Sequence, residues 1–178
     1  MSMNWHSGTR NMTAAALALA VATVMLLIFR GPVSIVSAPV IPAVIVLATR
    51  KSRPAHTILL AAGLLTVTLV FFQTQLLFVT GYLCLALALK LLLMPANMKV
   101  RLRPLPVLLF LLITGIVLFA GIWLTERLFL VPLHQMMLRL AGHNPLRYAA
   151  IILAESLLIC TINVTLLKIF TARTAAAG

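Results

Sequence analysis

The chain has 178 residues, 63% of them hydrophobic and 9% charged, with a mean hydropathy of +1.16. A soluble domain carries about 25% charged residues, and this chain lacks the material for such a polar shell. Disorder is excluded because disordered chains are poor in apolar residues, and two cysteines cannot staple a disulfide scaffold of this length. Lysine and arginine number 14 against 2 carboxylates, a net charge of +12. The bases stand in short clusters between long uncharged runs. That is the positive-inside pattern of a membrane protein, in which basic loops meet anionic lipid headgroups; it is not the single basic face of a nucleic-acid binder.

The expected fold is all-α, a single transmembrane domain over 1–178 with about six spans and one short amphipathic connector helix. The first span covers 13–29 and is closed by Arg30. No small-x-small cleavage site follows it, so it is expected to stay in the mature protein. The second covers 32–49 and carries Pro32, Pro39 and Pro42. Proline is tolerated in a first helical turn but breaks a helix interior. A break facing lipid would strand backbone carbonyls, so this span is expected to be kinked or partly unwound against other helices.

From Pro54 to Leu89 there is no formal charge. A single helix over that stretch would run about 54 Å, against a hydrocarbon core of about 30 Å. Two spans are therefore expected, 56–72 and 76–94, with a tight turn at Gln73-Thr74-Gln75 and with Lys90 snorkelling to the interface. The fifth span covers 104–125, ending at Glu126-Arg127, and the sixth covers 148–170. Between them, Leu133, Met136, Met137 and Leu140 share one helical face, while Gln135 and Arg139 share another. This spacing predicts an amphipathic helix over 132–141, lying in the interface or over the bundle end. With the N-terminus inside, ten bases fall on the inner side and four on the outer, so both termini are expected in the cytoplasm.

Few residues can carry chemistry. Glu126, beside Arg127, reads as a boundary residue. Glu155 lies inside the sixth span, where an ionisable group normally faces a bundle interior or cavity. Ser156, Cys160 and Asn163 make a polar stripe beside it at i, i+4, i+7. Glu155, Ser156 and Asn163, with Ser37 of the broken second span, are the candidate solute-binding residues; the alternative for the stripe is an interhelical packing seam. The four histidines show no paired metal-ligand spacing, no aspartate exists, and no cofactor is expected. Cys84 and Cys160 read as small buried hydrophobes. No catalytic set stands out, and Glu126 with His134 is the single acid–base pair within plausible reach. In the first span Ala14, Ala18 and Ala22 recur every four residues. That small-xxx-small face suits close helix contact, either with a partner subunit or within the chain.

A six-span chain of this size with an alanine-xxx-alanine stripe in its first span resembles the substrate-binding S components of energy-coupling-factor vitamin transporters. The proline-broken second span, SAPVIPAVIVLATRKSRPAH, followed by an apolar hairpin, is also similar to YybS-type membrane proteins. The resemblance implies a non-enzymatic transport subunit in a bacterial-type inner membrane. It further implies that Ala14, Ala18 and Ala22 dock on a membrane coupling subunit. MreD-type envelope scaffold subunits share the layout, which implies the alternative of an assembly scaffold with no substrate. A lipid-modifying enzyme is the third reading.

Overall fold

A computed structural model describes residues 5–28, 38–50, 54–94 and 104–176. Among these residues the fold is all-helical, with no strand: α1 (Trp5–Ile28), α2 (Ile41–Ala48), α3 (Pro54–Phe71), α4 (Leu76–Leu93), α5 (Pro104–Phe129), α6 (Leu133–Leu140) and α7 (Pro145–Ala176). Among the described residues four stretches are long and apolar enough to cross a bilayer: 11–28, 73–93, 104–129 and 145–170. Helix α3 is apolar but shorter, over Ala55–Phe71. The outward faces are greasy, with Leu17, Ile58, Phe71, Leu91, Leu112 and Leu158 all exposed. Water does not tolerate apolar surface of this extent on a lone chain, so the protein is membrane-embedded.

The second expected span departs most from 32–49. Its described part is helical only over Ile41–Ala48, after a turn at 38–40. Eight residues rise about 12 Å, well short of the hydrocarbon core. Pro39 precedes this helix and Pro42 sits in its first turn, the one place where a missing N–H costs nothing. The C-terminal end is closed by Thr49. Its N–H donates to Ile45 O at 3.0 Å, and its hydroxyl donates to the same carbonyl at 2.8 Å. Lys90 of α4 donates its Nζ to the Thr49 carbonyl at 3.3 Å. A cation at a helix C-terminus satisfies an orphan carbonyl and opposes the helix dipole, so Lys90 is tied to the end of α2 and does not simply reach for the interface.

Helix α2 lies among α1, α4 and α7, with Ile41, Ala43, Ile45 and Val46 buried. Around it, α1 packs on α3, α3 on α4, α4 on α5 and α5 on α7. In lipid there is little hydrophobic drive between helices, so close van der Waals packing through small residues has to hold such seams. The α4–α5 seam does this twice. A Cβ at Gly81 would stand 2.7 Å from Val117 Cγ1, and one at Gly121 would stand 3.3 Å from the Phe78 ring.

The turn at Gln73-Thr74-Gln75 is a short 3₁₀ segment between α3 and α4. Gln75 N donates to Phe72 O at 2.8 Å. Helix α5 runs past residue 125, because Glu and Arg are good helix formers; it stops where Leu130 takes a positive φ of 56°. Helix α6 ends in a Schellman motif: Gly142 N donates to Arg139 O at 2.9 Å and His143 N to Leu138 O at 2.8 Å. The left-handed Gly142, at φ 63°, makes that closure cheap. Asn144 then caps α7, its Oδ1 accepting from Leu146 N at 2.9 Å, with Pro145 at the first helical position.

Candidate functional site

One stripe of α7, formed by Tyr148, Ile152, Ser156, Ile159, Asn163 and Leu167, is buried along its length. The expected polar stripe lies inside this one: Ser156, Cys160 and Asn163 are all covered by the protein. Two of its groups are satisfied within the helix itself. Ser156 Oγ donates to Ile152 O at 2.7 Å, and Asn163 Nδ2 donates to Ile159 O at 2.8 Å. The acceptor Asn163 Oδ1 and one carboxylate oxygen of half-buried Glu155 are shielded from solvent and have no hydrogen-bond partner. Ser37 lies outside the described residues.

Between α5 and α7 runs a groove of about 600 Å³. Its α5 wall includes Leu108, Leu112, Gly115, Ile116 and Phe119, and its α7 wall Tyr148, Ile152, Leu153 and Ser156. Gly115 makes the space: a Cβ there would stand 3.4 Å from Ser156 Oγ. The lining is hydrocarbon except for the Ser156 and Tyr148 hydroxyls. Of the three expected solute-binding residues among the described ones, Ser156 lines this groove, and Glu155 and Asn163 lie off it. The volume falls in the usual range of small-molecule pockets, about 300–1,000 Å³, and an apolar wall with a few polar groups is their usual chemistry.

The groove has one polar end. There the Phe119, His134 and Tyr148 rings meet edge to face, with the His134 and Tyr148 centroids 5.2 Å apart. His134 Nδ1 lies 3.1 Å from the Tyr148 hydroxyl. Gln135 N also donates to Glu126 Oε2 at 3.0 Å. Helix α6 is thereby held against α5 and α7 at the groove's end by two polar ties, while its Leu133, Met137 and Leu138 pack inward. The sequence reading missed Tyr148 and weighed His134 only as an acid–base partner of Glu126. Tyr148 continues the Ser156 stripe two helical turns toward the N-terminus, which was a usable signal. The pairing with His134 depends on how α6 folds back, and no spacing encodes that.

The alanine stripe of α1 is occupied within the chain. Ala18 and Ala22 are 4% and 2% exposed and Ala14 is half-buried, in a helix that packs on α2 and α3. A face closed by the protein's own helices is not an outward docking surface. Ala16 and Ala20, beside it, are exposed. Cys84 is likewise on an outward face of α4 and not in the core, whereas Cys160 is buried. Among the described residues no three His, Cys, Asp or Glu side chains gather as metal ligands would. Comparison with protein-family models, with curated proteins and with solved structures finds no match to this chain.

Proposed function

We propose that the chain is a non-enzymatic membrane subunit of a transport system. It binds a lipophilic solute in the α5–α7 groove and docks on a partner membrane complex. In this reading it spans a bacterial-type inner membrane six times with both termini cytoplasmic, the broken second span and α3 each counting as crossings. The resemblance of the sequence layout to S components supports this reading. The observation that carries the reading is the groove itself, an apolar slot with a hydroxyl on its wall and a polar, helix-covered end. Ser156 and Tyr148 are the solute-facing polar groups, and Glu155 and Asn163 shape the α7 stripe next to them. The partner's contact falls on the outward Ala16 and Ala20 side of α1, since Ala18 and Ala22 are engaged internally.

An assembly scaffold without a substrate is the second reading. The Ser156 hydroxyl and the Asn163 Nδ2 group, each bonded back to its own helix, favour it, because that is how polar donors in a pure packing seam behave. Native mass spectrometry of protein extracted in mild detergent separates the two. A transport subunit retains a lipophilic molecule that Gly115→Phe, which fills the slot, expels. If both forms carry the same bound mass, or none, the solute-binding reading is lost and the scaffold stands.

A further inference from the structure

The groove is apolar along its walls but ends among cations. Its α5 wall runs from Leu108 to Ala120, about 18 Å of helix. One leaflet of a bilayer offers an acyl chain about 15 Å of hydrocarbon depth. The slot opens sideways, since Leu108, Leu112, Ile116 and Leu153 on its walls are also exposed. In a membrane those side chains face lipid, so an occupant enters from the bilayer.

Beyond Ala120 the same strip of α5 continues through Trp123, about one turn on, to Arg127, about two turns on. The Arg127 guanidinium lies 5.5 Å from the Trp123 ring centroid, a cation–π contact that holds the charge over the strip. Arg139 on α6 and Arg147 in the first turn of α7 are exposed at this same end of the bundle, where the α7 N-terminus adds the positive end of its dipole. Among the described residues the one carboxylate at that end is Glu126, and its Oε2 is engaged by Gln135 N. In the proposed topology these arginines lie on the side that the positive-inside bias disfavours. Topology does not account for them, whereas an anionic headgroup does.

We propose that the groove takes one acyl chain of an anionic phospholipid from the bilayer, with its phosphate held at the Arg127, Arg139 and Arg147 end. This rests on the groove being the solute site and names the class of that solute. The test uses delipidated full-length protein in mild detergent, titrated with dioleoyl phosphatidylglycerol, dioleoyl phosphatidylcholine or oleate and read by native mass spectrometry. One phosphatidylglycerol per chain is expected at concentrations at least tenfold lower than phosphatidylcholine requires. Gly115→Phe, and separately the lipid-facing Ile116→Trp, should remove that tight site. The pair Arg127→Ala and Arg139→Ala should weaken phosphatidylglycerol by about 25-fold, at about a factor of five per basic residue near an anionic lipid, and leave phosphatidylcholine unchanged. Equal binding of the two phospholipids, both lost on filling the slot, would overturn the anionic class and leave the groove as a solute site. Phosphatidylglycerol preference that survives both slot-filling variants would overturn the groove as the site. Displacement of phosphatidylglycerol by equimolar oleate would make the occupant a free fatty acid, against the proposal.

Discussion

Gly81 sits where α4 and α5 approach most tightly among the glycine contacts, and the atom it would strike decides what a methyl group there does. Val117 Cγ1 lies 2.7 Å from the position a Cβ would take. Valine has one strongly preferred rotamer in a helix, so it cannot swing aside and the two helices must part. Overpacking of this kind costs about 1–3 kcal/mol. Gly81→Ala is expected to lower the melting temperature in detergent, and Val117→Ala in the same chain should restore it. Gly63→Ala meets Leu19 Cδ2 at 3.2 Å. That is the free end of a flexible, half-buried leucine, so the loss there should be distinctly smaller. Glu155 poses a different test. One of its carboxylate oxygens is shielded and has no partner, so no hydrogen bond to that atom is lost in Glu155→Gln. Since Glu155 lies off the groove, the substitution is expected to leave expression, melting and solute retention intact; altered retention would make Glu155 a solute contact.

At the scale of elements, α6 has few independent means of staying in place. It has eight residues and none of them is buried, and an isolated helix so short is unstable in water. Its position therefore depends on the ring cluster, the inward leucines and methionine, and two hydrogen bonds. Tyr148→Phe keeps the ring and deletes the hydroxyl 3.1 Å from His134. A single neutral hydrogen bond contributes about 1 kcal/mol. Amide exchange over 133–140 should then quicken by about fivefold, with the midsections of α5 and α7 unchanged. Exchange that rises equally in all three helices would mean that Tyr148 supports the bundle generally. The alanine stripe of α1 teaches a related lesson. Its spacing correctly marked a close-packed face, but spacing does not say whose helix fills it. Because α2 and α3 take that side, Ala18→Leu is expected to lower the stability of the isolated chain, visible as early melting before any partner is added.

For the whole molecule, the long apolar runs and the turn near Gln73 were legible because hydrocarbon imposes a length rule that the sequence must obey. Boundaries were less so. Glu126 and Arg127 looked like an end, yet α5 carries them as helical residues and runs on to Phe129. Pro39 and Pro42 announced a break but not that α2 would be an eight-residue helix enclosed by three others, since that depends on long-range packing. The groove was illegible because a cavity is the absence of side chains between two helices, and Gly115 alone hinted at it. What the proposed topology adds can be measured directly. With Cys84 and Cys160 changed to alanine, Thr74→Cys and His143→Cys introduce thiols at exposed turn positions, and Ala172→Cys introduces one near the end of α7. Six crossings with both termini inside place 74 and 143 together on the outer face and 172 on the cytoplasmic one. In intact cells an impermeant maleimide should label the first two and spare the third until the membrane is opened. If 74 and 143 label from opposite sides, α4 and α5 do not form the adjacent pair of crossings that six spans require. If 143 is the protected one, the arginines at the groove's end stand on the cytoplasmic face, where the positive-inside bias alone explains them.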